Sequence, residues 1–174
     1  MQTSRRAFLK VGVVGAVALA GGGALYRLLR GPALPGRFVL DGAAAAALAA
    51  IAPVMLGQAV PGEAAARAAA VAAVCEQVQQ AILGLPLATQ KEVGDLFGLL
   101  ALAPARRFVA GVSSGWDEAS PDQVGAFLQS WRTHRFAMLQ TAYHALHDLI
   151  VGCWYADPRN WQAIGYPGPL KELG

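Results

Sequence analysis

The chain has 174 residues, 55% hydrophobic and 14% charged, with 14 Lys plus Arg against 11 Asp plus Glu. Three of the basic residues, Arg5, Arg6 and Lys10, crowd into the first ten positions, leaving the rest formally neutral. The sequence pI of about 9.1 therefore belongs to the N-terminus, and a basic nucleic-acid-binding surface is excluded as its meaning.

Ser4-Arg5-Arg6-Ala7-Phe8-Leu9-Lys10 precedes a nearly uncharged run of Val, Ala, Gly and Leu from Val11 to Leu25. A basic n-region, an apolar h-region and then small residues is the order of an export signal. Adjacent arginines ahead of a mild, glycine-containing h-region predict the twin-arginine route, with Arg5, Arg6, Phe8, Leu9 and Lys10 as its determinants. The expected localisation is periplasmic.

Ala18-Leu19-Ala20 offers a small-x-small cleavage site, with Gly21-Gly22-Gly23 beyond it. Residues 11–29 are also just long enough to cross a bilayer, which takes about 20 residues, so an uncleaved inner-membrane anchor is the alternative. Three glycines and Arg27 weaken such a helix, and cleavage is the preferred reading. No cysteine lies near the h-region, which argues against a lipoprotein.

Residues 1–30 are thus read as signal, 31–40 as linker, 41–156 as a helical domain and 157–174 as a partner-docking tail. Gly31-Pro32-Ala33-Leu34-Pro35-Gly36 supplies the linker's Pro/Gly character. Asp41 can cap an alanine-rich helix to about Leu56, with Pro53 kinking or ending it. A second helix is predicted from near Pro61 to Leu83, burying Val71, Val74, Cys75, Val78 and Ile82. Thr89 with Glu92 reads as a capping box for a third helix through Leu102, followed by a helical turn over 104–109. Gly111 to Ala119 reads as a loop carrying Trp116.

Ser120-Pro121-Asp122-Gln123 joins a cap, an N1 proline and an N3 glutamine, a strong helix start. Apolar residues Val124, Phe127, Leu128, Trp131, Met138, Leu139, Leu146, Ile150 and Cys153 continue the helical pattern, bent near 133–136. The fold class is all-α: a helical bundle with a non-helical, aromatic, Pro/Gly-rich C-terminal tail.

Cys75 and Cys153 allow two readings. In an oxidising compartment they could form a disulfide, worth about 4 kcal/mol in the chain-entropy model. Alternatively they are two small buried apolar side chains. No Cys-x-x-Cys occurs, which removes covalent haem attachment and the usual thiol-redox motif.

His144, His147 and Asp148 share one helix face, but the zincin glutamate is absent and no further ligand is evident. A polar helix face is the plainer reading, and no metal site is expected. Ser113, Ser114 and Ser130 lie in no elbow motif, and the scattered acids read as helix caps. No active site is expected in this chain. Trp154, Tyr155, Trp161 and Tyr166 instead concentrate aromatics on a Pro/Gly backbone, which suits either an interface anchor or a seal over the chain's own core.

The twin-arginine start and the ending Trp154-Tyr155-x-x-Pro158-x-x-Trp161-x-x-Ile164-Gly165-Tyr166-Pro167-Gly168-Pro169 resemble one family of exported bacterial subunits. These are the gluconate 2-dehydrogenase subunit 3 and sorbitol dehydrogenase small-subunit proteins. The resemblance covers the signal and about the last 40 residues. It implies a non-catalytic small subunit that escorts a signal-less FAD-dependent dehydrogenase of the glucose-methanol-choline type through the twin-arginine translocase. It implies FAD in that large subunit and none here. The expected partner-facing set is the aromatic pair Trp154 and Tyr155 together with the family-like tail Trp161, Gly165, Tyr166, Pro167, Gly168 and Pro169. The alternative is a stand-alone exported or membrane-anchored helical binding protein.

Overall fold

The computed structural model describes residues 38–40 and 42–168, within a unit spanning Arg37–Gly174. The expected export determinants Arg5 to Lys10, the candidate anchor 11–29, the expected linker 31–36 and cap Asp41, and Pro169 lie outside the described residues. Among the described residues there are helices and no strand.

Helix α1 (Gly42–Leu56) is the centre of the bundle and touches most of the other helices. Ala47, Leu48, Ile51 and Ala52 are fully buried, so its small side chains let neighbouring backbones approach closely. The stretch Gly42–Ala59 is long and apolar enough to cross a membrane, with mean hydropathy 1.6. Here its buried face is the core of a helical domain. Pro53 does not end α1, which runs on to Leu56. Termination falls to Gly57, whose φ of 56° is the left-handed conformation glycine tolerates after a helix.

Helix α2 (Ala64–Leu83) starts later than Pro61 because Glu63 is its cap. The Glu63 carboxylate accepts from the Ala65 and Ala66 N–H groups at 2.9 and 2.7 Å. Those bonds favour its charged form and lower its pKa. Val74, Val78 and Ile82 are buried; Val71 and Cys75 are half-buried beside them.

The expected capping box of the third helix does not form. Helix α3 (Leu87–Ala101) begins two residues before Thr89, with Pro86 at the cap position and no side-chain cap. Gln90 takes over the work at this end. Its amide donates to the Leu83 and Leu85 carbonyls at 3.2 and 2.8 Å, and its oxygen accepts from Phe38 N at 3.3 Å. A glutamine only 7% exposed is thereby satisfied, and the lead-in to α1 is tied to the α2–α3 turn.

Helix α4 (Ala103–Phe108) is short. The loop beyond it holds Trp116, which is core rather than surface: it is buried and donates its indole N–H to Leu100 O at 2.8 Å. Helix α5 (Pro121–Arg132) opens with the expected box, Gln123 N to Ser120 Oγ at 3.2 Å and Ser120 N to Gln123 Oε1 at 3.0 Å. Its Phe127 and Trp131 rings meet edge to face at 4.7 Å, and Trp116 packs on Phe127 at 5.8 Å. Trp131 also donates to Val109 O at 3.1 Å, pinning α5 to the end of α4.

The expected bend near 133–136 is a full break. Thr133 caps α5, and helix α6 (Ala137–Ala156) starts anew. His134 stitches the corner: its Nδ1 accepts from Phe136 N at 3.1 Å, and its carbonyl accepts from Gln140 Nε2 at 2.7 Å. The new register buries Leu139, Leu146, Ile150 and Trp154 and turns Met138 outward, 61% exposed, against the expectation that it joins the apolar face.

Candidate functional site

The C-terminal end of α6 and the residues after it form a small, separately ordered knob. Trp154 must be taken out of the expected partner-facing set. It lies on the inner face of α6 and is only 4% exposed, so packing against the core removes it from any outside partner. One residue on, a helical step of about 100° carries Tyr155 to the outside.

Beyond Ala156 the last carbonyls of α6 need donors, and the tail supplies them. Asn160 Nδ2 donates to Trp154 O at 2.8 Å, and Trp161 Nε1 donates to Tyr155 O at 2.7 Å. Two short 3-10 turns, Pro158–Asn160 and Gln162–Ile164, bring these side chains back over the helix end. Tyr166 N then donates to Trp161 O at 2.9 Å, and the Tyr166 ring meets Trp161 edge to face at 5.2 Å.

Glycine is required twice in this fold-back. Gly165 turns the chain at φ 70°. Gly168 sits at φ 93° directly against the indole of Trp161, where a Cβ would lie 3.1 Å from the ring. As far as Gly168 the tail is thus two 3-10 turns and a fold-back, and none of its residues joins the bundle's buried core. It caps α6 and leaves Tyr155, Ile164, Tyr166 and Pro167 exposed.

Asp157 moors the knob to α2. Gln77 Nε2 donates to its Oδ2 at 2.6 Å, and Arg159 binds it through the backbone N–H, Nε and a guanidinium NH2 at 2.6 to 3.0 Å. The Arg159 side chain, foremost among these donors, holds the Asp157 carboxyl well below the usual carboxylate range. A cleft of about 210 Å³ opens between knob and α2, with Ala69, Ala73, Gln77, Trp154 and Asn160 in its walls. Trp154 Nε1 is buried without an acceptor.

The other candidate residues do not converge with this site. Cys75 and Cys153 are free thiols on α2 and α6, each half-buried against the core. Burial pushes the Cys75 thiol up to about 11 and raises that of Cys153, so neither is an activated nucleophile. His147 Nδ1 lies 3.0 Å from Asp148 Oδ1, and the Tyr143 ring contacts both histidines, 5.4 Å from His144 and 6.1 Å from His147. Among the described residues no three His, Cys, Asp or Glu side chains are grouped as metal ligands.

Sequence reasoning singled out none of Gln77, Asp157 and Asn160 as site residues. The Asp-Pro-Arg-Asn string does signal an Asx-type turn. Nothing local in the sequence announces a partner 80 residues away on α2. Comparison with family models, with curated proteins and with solved structures finds no match to this chain.

Proposed function

We propose that this chain is the non-catalytic small subunit of an exported heterodimer. Its partner is a signal-less, FAD-dependent dehydrogenase of the glucose-methanol-choline type. The small chain supplies the twin-arginine signal, docks the folded flavoprotein through its C-terminal knob, and stays with it in the periplasm.

The observation that carries this reading is the construction of the knob. Tyr155, Ile164 and Tyr166 are 40 to 47% exposed, yet they sit on a backbone already fixed by Trp161, Asn160 and two positive-φ glycines. Exposed aromatics on a pre-ordered backbone lose little entropy on docking, which is what an interface anchor needs. The Ser4-Arg5-Arg6-Ala7-Phe8-Leu9-Lys10 start supports export in the folded state. A flavoprotein needs that route, because its cofactor is acquired before translocation.

The test is capture of the full chain from the periplasmic fraction of its own cells. A flavin-bearing large polypeptide should co-elute, and Tyr166→Ala with Ile164→Ala should release it. A chain that elutes alone, with or without the substitutions, would instead be a stand-alone exported protein.

A further inference from the structure

The opposite end of α6 carries a second surface of different chemistry. Phe108 at the end of α4 is 82% exposed, and Phe136 and Met138 at the α5–α6 corner are 48% and 61% exposed. The Trp131 Nε1 to Val109 O bond ties the residue after Phe108 to the last turn of α5. Arg107, Arg132 and Arg135 flank these tips and are exposed, whereas Arg106 turns its Nε into the interior. Arg107 lies over the Phe108 ring at 6.0 Å and Arg135 over the Phe136 ring at 4.9 Å. No acidic residue occurs anywhere in 96–116 or in 123–147, the stretches that contain these segments. Three of the seven basic residues between positions 38 and 168 are these exposed arginines, in a domain otherwise sparing of charge.

We infer that this arginine-ringed aromatic end docks the protein onto the surface of a bilayer containing anionic phospholipid. The charge is complementary to phosphate headgroups, and each arginine near an anionic surface contributes measurably to adsorption. Protruding side chains with guanidinium groups stacked at their flanks suit a boundary where rings enter the acyl region and cations remain at phosphate level. An acidic protein surface would meet the arginines but would leave Phe108 and Met138 without an apolar site. The 20 residues of α6 place this end about 30 Å from the knob, so a membrane and a protein partner can be held at once.

Residues 11–29 could themselves bring the full chain to vesicles, so the readout must be local to the patch. Phe108→Trp places an indole at the most exposed tip. Full-length protein carrying it is titrated with phosphatidylcholine vesicles, with and without phosphatidylglycerol, containing acyl chains brominated as quenchers. The expected result is quenching beyond that of the parent chain, dependent on phosphatidylglycerol and weakened by salt. Adding Arg107→Gln and Arg132→Gln should raise the lipid needed for half-maximal quenching by about thirtyfold, with helicity by circular dichroism unchanged. No quenching beyond the parent would overturn the inference and return the patch to a protein partner. Quenching indifferent to anionic lipid, or to the arginine substitutions, would overturn it as well.

Discussion

Trp161 donates its indole N–H to the backbone carbonyl of Tyr155 at 2.7 Å, so the most conspicuous aromatic of the tail is a helix cap before it is anything else. Trp161→Phe keeps the ring but removes the donor. It should lower unfolding free energy by about 0.5–1.5 kcal/mol, the net worth of one such bond. Tyr166→Ala removes an exposed ring and should leave stability nearly unchanged while weakening partner capture by about 2–4 kcal/mol. Urea unfolding beside a pull-down separates the two roles. The division fails if Tyr166→Ala unfolds the domain or if partner binding survives it intact.

Gly168 has no alternative in this fold-back, because a Cβ would press on the Trp161 ring from a backbone at φ 93°. Gly168→Ala should free the tail beyond Trp161, read as faster amide exchange at Tyr166, whose N–H donates to Trp161 O. Unchanged protection there would show that the ring contact does not hold the tail.

The Asp157 mooring sets an acid limit on the knob. Its carboxyl is held below the ordinary value of 3.8 by Arg159, with Gln77 assisting. A depressed folded-state pKa contributes stability that is fully present above the unfolded value and is lost as pH falls through the folded one. Wild type should therefore lose stability progressively below about pH 4, and Asp157→Asn should be less stable at neutral pH and lose less on acidification. Parallel pH profiles for the two proteins would contradict this.

Gln90 is the buried polar hub between the α2–α3 turn and the segment before α1. Gln90→Leu leaves the Leu83 and Leu85 carbonyls and Phe38 N without their partner. A loss of about 1–3 kcal/mol is expected in denaturant unfolding. An unchanged midpoint would mean that water replaces the amide without cost.

The fold class was legible because it rests on local chemistry. The Ser120 box, the N1 proline and the Phe127–Trp131 spacing are contained within one helix and behave as a sequence pattern predicts. The failures are where distant residues decide. Thr89 and Glu92 have the spacing of a cap, but Gln90 between them is engaged by Phe38 and by the α2–α3 turn, and the helix starts earlier. Trp154 and Tyr155 are adjacent aromatics in the sequence, yet the phase of α6 sends one inward and the other outward. The knob's mooring joins residues 77 and 157, a pairing no local window contains. Burial and hydrogen bonding, not composition, distinguish the capping aromatics from the exposed ones.

In the proposed function this chain leaves the cytoplasm together with a flavoprotein it carries. The most direct measurement follows a single preparation: periplasmic protein captured through the small chain, from cells with native Arg5 and Arg6 and from cells carrying Arg5→Lys with Arg6→Lys. The native chain should bring down one large polypeptide with a flavin absorbance spectrum, and the double substitution should empty the periplasm of both. A small chain recovered without flavin from native cells, or a flavoprotein that reaches the periplasm undiminished when the arginines are replaced, would contradict it.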